Sequence, residues 1–328
     1  EVNPEAQDAY FRGMGHWNKL TPEGMDLAER YFELALEKDS TFAKAYAGLS
    51  AVWSGRGQMG LVSPLEARDQ ANELARKAIE MDDAVAEAHS ALAAQLTWGE
   101  WQWEEAWNHW RRSLEINPND PFANAYYAHF LCIMGLPEEA LAYAERAMEV
   151  DPFSALYQAL YGMVLLFNRR YDDAIAAATA ALEIDPTVPV DARQAVYIAQ
   201  GRKEEQLAHQ RERISIDPDR VAAFERGLAE GGYEGAQLAL AELFVSQYGR
   251  EGYGRFATYG TALRFFDGGD YDRAMDWFER AVEAKDPNMP YIGAPSYDPM
   301  RSHPRYPDLI RRMGFPEEVV GRYLEPSG

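Results

Sequence analysis

Residues 137–152, PEEALAYAERAMEVDP, and residues 171–186, YDDAIAAATAALEIDP, are one phrase written twice. A third copy stands upstream at 103–118 as WEEAWNHWRRSLEINP. Each copy ends on a proline, and Pro118, Pro152, Pro186 and Pro218 lie 34, 34 and 32 residues apart. Proline lacks the amide hydrogen that a helix interior needs, and its ring clashes with the preceding turn, so it closes one unit and opens the next. Inside the phrase alanines recur at i, i+4 and i+7, as Ala140, Ala144 and Ala147 and again as Ala174, Ala178 and Ala181. That spacing puts small side chains on one helical face, where a second helix can come close.

The phrase returns at 24–40 (GMDLAERYFELALEKDS), 67–83 (ARDQANELARKAIEMDD) and 271–287 (YDRAMDWFERAVEAKDP). No alternating strand pattern interrupts it. A helix-turn-helix unit of this length and punctuation resembles the tetratricopeptide repeat. The resemblance implies an all-α fold, a right-handed superhelical solenoid of antiparallel helix pairs. Residues 1–218 read as about six repeats, 219–286 as an irregular helix pair plus a final repeat, and 287–328 as a cap. In that last stretch six prolines fall between Pro287 and Pro307, and a solenoid must cover the apolar face of its last repeat.

The departures from the pattern carry information. Thr21-Pro22 reads as an N-cap followed by a first helical residue, and Ser63-Pro64-Leu65-Glu66 reads as a capping box after a long loop from about Gly55. Gly135 sits between two helices, where a positive φ is needed. The sixth unit carries Gln206, Gln210 and Arg213 where small or aromatic residues belong, and 219–254 is rich in glycine.

Composition narrows the function classes. Hydrophobic residues at 47% and charged residues at 26% describe a folded chain. The longest apolar run, Ala155 to Phe167, is too short for a bilayer. A formal charge of -21 repels phosphate backbones and anionic lipid heads, so nucleic acid and direct membrane insertion are excluded as expectations and a basic peptide is favoured. Cys132 is the single cysteine, so no internal disulfide forms, which suits either a cytoplasmic or a periplasmic setting. The chain opens without an initiator Met or a secretory signal, as expected of a mature or cut fragment.

Motifs for chemistry are missing from the string. There is no His-Glu-x-x-His, no Gly-x-Ser-x-Gly elbow and no Walker loop. Gly55-Arg56-Gly57-Gln58-Met59-Gly60 spells G-x-G-x-x-G but follows a helix instead of a strand, so the dinucleotide reading fails its context. The six histidines are scattered with none at i, i+3 or i+4 from another. The acidic residues follow the repeat phrase, as helix-end and solvating charges do. No catalytic residue, metal site or cofactor is expected.

Binding is expected on the first helices of the repeats. Spacings of three, four and seven place Tyr10, Met14 and Trp17 on one stripe, Phe122, Tyr126 and His129 on another, and Leu156, Leu160, Met163 and Phe167 on a third. Trp98 is the member of the Trp98–Trp110 cluster expected to be exposed; Trp110 takes the repeat's packing position. The expected partner is a protein or peptide segment, apolar or aromatic and basic at its flanks, and a homo-oligomer is compatible with the same surface. Positions that would hold a clamp for chaperone carboxylates carry Tyr10, Met14, Gly48, Glu87 and Ala91 instead of Lys, Arg and Asn.

Three segments also follow one another in a familiar order: 10–50 (YFRGMGHWNKLTPEGMDLAERYFELALEKDSTFAKAYAGLS), 101–120 (WQWEEAWNHWRRSLEINPND) and 298–316 (DPMRSHPRYPDLIRRMGFP). Together they resemble the C-terminal tetratricopeptide region of bacterial signalling proteins that carry a winged-helix regulator, an adenylyl cyclase or a kinase domain, often with a TolB-like segment. The resemblance implies a non-catalytic sensory or partner-binding module. Two rival expectations remain open: a small-molecule sensor whose curvature changes on binding, and an enzyme with a divergent site between 190 and 255.

Overall fold

A computed structural model describes residues 3–17, 19, 21–59, 61–188, 190–248 and 257–324. Among the described residues there is no strand. The α-helices are α1 (Pro4–Trp17), α2 (Pro22–Lys38), α3 (Ala43–Gln58), α4 (Pro64–Met81), α5 (Ala86–Ala94), α6 (Trp103–Ile116), α7 (Pro121–Ile133), α8 (Pro137–Val150), α9 (Ala155–Phe167) and α10 (Tyr171–Ile184). They continue as α11 (Arg193–Ala199), α12 (Lys203–Ile214), α13 (Pro218–Gln247), α14 (Ala257–Asp267), α15 (Tyr271–Glu283), α16 (Tyr306–Arg312) and α17 (Glu317–Leu324). A π-helical turn follows α5 at Gln95–Glu100, and two 3₁₀ segments, Met289–Gly293 and Pro295–Ser302, lie in the proline-rich stretch. The fold is an all-α array of helix pairs, as the period predicts. It divides into two compact units, 1–126 and 127–328, with the division inside α7.

The expected caps are present. Thr21 Oγ1 accepts the Gly24 amide at 3.0 Å and Ser63 Oγ accepts the Glu66 amide at 3.2 Å. The Asp or Asn that ends α2, α4, α6 and α10 has a local cause. Asp39, Asp82, Asn117 and Asp185 each accept, through the side chain, the amide two residues on. This bends the chain out of the helix before the next one starts.

In unit 1 the core runs through Ala6, Tyr10, Met25, Ala28, Phe32, Phe42, Leu49 and Val52. Phe32 is fully buried between Gly13 and Gly48, and a methyl at either glycine would meet its ring at 2.6–2.7 Å. Gly55 and Gly57 do not begin a loop as expected, because α3 continues to Gln58. They serve close helix packing instead: a methyl on Gly55 would meet Met25 Cε at 2.6 Å, and one on Gly57 would meet Ala67 Cβ at 2.5 Å. Gly60 lies outside the described residues.

In unit 2 the pairs α9–α10 and α14–α15 follow the repeat, and Gly135 takes its expected positive φ of 72°. The divisions expected at 218 and 286 both fall inside this unit. The irregular sixth repeat has a polar reason. Gln206 and Gln210 are buried; Gln210 Oε1 accepts from Arg264 Nη1 at 2.9 Å, Gln206 accepts from the Tyr233 hydroxyl, and Gln206 Nε2 donates to the Tyr197 carbonyl at 2.9 Å. The glycines of 219–248 break α13 at Gly231–Gly232, where Gly232 has φ 64° and ψ -147°, a conformation open to glycine alone. The two halves then meet backbone to backbone at Gly227 and Gly235. Residues 249–254 of this stretch lie outside the described residues.

The proline-rich segment packs against α15 and α11. Its Met289, Ile292, Met300, Tyr306, Leu309, Ile310 and Val319 are fully buried, so it is part of the core of unit 2. It also extends to α7, where Tyr323 donates to the Ile133 carbonyl at 2.6 Å and Arg322 to the Met134 carbonyl at 2.7 Å.

Candidate functional site

In unit 1 the structure gathers four of the expected binding residues into one aromatic face. The Trp17 ring at the end of α1 lies 6.4 Å from that of Phe122 on α7, Phe122 lies 4.5 Å from Tyr126, and Tyr126 lies 5.6 Å from Trp98. All four rings are half-buried. Trp98 stands on the π-helical turn, whose extra residue per turn re-aims the side chain, and its ring also packs edge-on to the buried Trp110 at 6.2 Å. It is a wall of the face and not an isolated exposed ring. The Trp17 indole Nε1 is buried with no hydrogen-bond acceptor. Met14 is half-buried against the core, and Tyr10 turns fully inward onto Phe32 and Phe42, which removes it from the binding stripe.

The same end of unit 1 is acidic. Asp120 caps α7, accepting the Ala123 amide at 3.1 Å, and Glu87 pairs with Lys44 at 3.0 Å. Burial and the nearby Glu87 raise the Asp120 carboxyl above the usual range, with the capping amides opposing. Burial, reinforced by Glu87 and Asp120, raises the Tyr10 phenol. Burial alone pushes Tyr126 up to about 12.

In unit 2 the corresponding stripe meets the chain's own proline-rich segment. His129 is buried between two partners: Nε2 is 2.9 Å from the Leu160 carbonyl and Nδ1 is 3.0 Å from the Tyr291 hydroxyl. A carbonyl only accepts, so Nε2 carries the proton and Nδ1 accepts from Tyr291. Burial pulls the His129 pKa down to about 4, partly offset by the Leu160 bond, and keeps the ring neutral. The Phe167 ring lies 6.4 Å from Tyr291. Leu160 and Phe167 are buried, and Met163 packs against the cluster of Leu165, Leu166 and Val196; Leu156 is half-buried. Asp298 of the same segment pairs with Arg169 at 2.8 Å.

Two groupings were not legible from spacing. His89 on α5 and His109 on α6, twenty residues apart, face each other with Nδ1 atoms 2.8 Å apart. Asp83 lies 3.3 Å behind His89 and Glu105 4.0 Å from His109. Burial, with His89 adding, lowers the His109 pKa. In unit 2 Asp267 is buried with both carboxylate oxygens lacking a hydrogen-bond donor, and its nearest charge is Arg264 at 3.3 Å. Burial lifts its pKa to about 6, with Arg264 opposing. Among the described residues no three His, Cys, Asp or Glu side chains are placed to hold a metal ion. Cys132 is buried, which pushes its thiol up and away from reactivity.

Residues 156–188, which span the α9–α10 pair, match the family model described as tetratricopeptide repeat. The chain carries a tetratricopeptide repeat. A search of curated proteins finds no match. Among solved structures, human IFIT1, as a dimer with m7Gppp-AAAA, superposes with a TM-score of 0.57 at 16% identity, over 85% of this chain and 72% of that one. At that identity the likeness establishes a shared fold and nothing of role. YrrB, described as a TPR protein with an unusual peptide-binding site, matches 57% of this chain and 88% of its own at 24% identity and a TM-score of 0.35. TTC0263 of Thermus thermophilus, a TPR protein, matches 56% and 92% at 17% identity and a TM-score of 0.43. No described helix is long and apolar enough to cross a membrane.

Proposed function

We propose that the chain is a non-catalytic interaction scaffold that takes a peptide or partner segment on the Trp17–Trp98–Phe122–Tyr126 face of unit 1. One contrast carries this reading. The stripe of unit 2 is packed under the chain's own Tyr291, whereas the four rings of unit 1 stay half-exposed. Half-exposed aromatic side chains are the area on which a bound segment anchors. The charge of -21 disfavours a nucleic-acid occupant.

The finer placement, a partner-binding module within a larger bacterial signalling protein, follows from the three segments quoted at 10–50, 101–120 and 298–316. Phe122→Asp tests the binding face. The variant should keep the helical circular dichroism of the wild type and lose binding to those members of a peptide array that the wild type retains. Unchanged affinity for the same peptides in the folded variant would remove the face from consideration.

A further inference from the structure

We infer that the aromatic face of unit 1 reads a cationic side chain, an arginine of the bound segment, laid over Trp17, Phe122 and Tyr126 with Asp120 and Glu87 as its counter-charges. The inference rests on the reading of this face as a peptide site and names the chemistry it selects.

Four observations converge. First, the rings form a continuous wall from α1 to α7, with centroids 6.4, 4.5 and 5.6 Å apart from Trp17 through Phe122 and Tyr126 to Trp98. Indole and phenol faces carry negative electrostatic potential, and a cation over them is attracted. Second, Phe122 follows Asp120 by two residues, so the first turn of α7 holds a ring of the wall and a carboxylate together.

Third, the charge at this end is unbalanced. Asp120 and Glu87 are two carboxylates, and Lys44 is the ammonium that faces them, paired with Glu87 at 3.0 Å. Burial raises the Asp120 carboxyl and Glu87 adds to it, with Lys44 opposing, so an added cation would stabilise the charged form. Fourth, all four rings are half-exposed, which leaves aromatic area for a planar group to stack on. Guanidinium suits the site better than ammonium because it is planar, weakly hydrated, stacks on rings and meets a carboxylate with two N–H groups.

The test compares fluorescein-labelled peptides of about a dozen residues that alternate leucine with arginine, with citrulline or with glutamate, by anisotropy against the full chain. Citrulline keeps the shape of arginine, replaces one terminal NH2 by a carbonyl oxygen and removes the charge. The arginine peptide should bind at least about tenfold more tightly than the citrulline peptide, with the difference shrinking as ionic strength rises. Asp120→Asn with Glu87→Gln should narrow the gap between the two peptides to the part the rings supply; asparagine still caps α7, so the fold is kept. Trp17→Leu, which removes one ring of the wall, should weaken the arginine peptide more than the citrulline peptide.

Equal binding of the arginine and citrulline peptides by the wild type overturns the charge reading and leaves the peptide face standing. Binding that survives Asp120→Asn/Glu87→Gln and Trp17→Leu unchanged places the peptide elsewhere. Absence of binding by all three peptides removes the inference and the proposed face together.

Discussion

Gly227→Ala separates two opposite expectations by the sign of one number. In an ordinary helix, replacing glycine by alanine stabilises by about 0.5–1 kcal/mol, because alanine restricts the unfolded chain and favours the helix. Gly227 is helical and buried, so propensity alone predicts a gain. The structure predicts a loss. The halves of α13 fold back at Gly231–Gly232, and a methyl on Gly227 would collide with the Gly235 carbonyl oxygen and stand 2.6 Å from Ala239 Cβ. A backbone oxygen cannot rotate away as a side chain can, so the two halves must move apart. Overpacking of this kind costs up to about 3 kcal/mol, which leaves a net loss of about 2 kcal/mol after the propensity gain. For a unit of this size that is a fall in Tm of about 4–8 °C. Thermal and urea unfolding followed at 222 nm would measure it, with Gly260→Ala in α14 as control, since nothing lies within 4 Å of a methyl there. Stabilisation of Gly227→Ala equal to that of Gly260→Ala would refute the backbone contact and the hairpin that depends on it.

Three further outcomes are expected. Asp267 has a folded pKa of about 6 against an ordinary 3.8, so it contributes stability at low pH that is lost as pH rises from 4 to 6; Asp267→Asn should abolish that slope and gain up to roughly 3 kcal/mol at pH 8, read from urea midpoints at pH 4, 6 and 8. His129 has the opposite sign: with its pKa lowered to about 4 from 6.5, stability is complete above pH 6.5 and is lost as pH falls toward 4, by roughly 3 kcal/mol, and His129→Gln in the Asp267→Asn background should flatten this loss. Gly293→Ala puts a methyl 2.6 Å from Tyr323 Cζ and should evict that ring from Ile133, seen as tryptic cleavage at Arg301 or Arg322 under conditions where the wild type is intact.

The repeat was legible because its signals are local. Proline spacing, the Ala140–Ala144–Ala147 face, the caps at Thr21 and Ser63 and the positive φ of Gly135 each depend on a few neighbouring residues. Glycines misled the reading where they meant proximity. Gly55 and Gly57 read as loop residues, yet they sit in α3 because Met25 and Ala67 come close there, and no run of sequence encodes that approach. Gln206 and Gln210 read as decay of the repeat for the same reason: Arg264 and Tyr233, which they meet, lie between 27 and 54 residues away.

By itself, then, the sequence determined the all-α class, the helix pairs and the aromatic stripes of the first helices, since periodicity assigns each side chain a face. Tertiary structure decided what each face touches. It turned Tyr10 into the core, joined Trp17 to Phe122 across more than a hundred residues, and laid Tyr291 over His129. Such contacts lie outside what helical period encodes, because they depend on how successive pairs stack and on where a distant segment returns, and burial of apolar area sums over all of those partners at once.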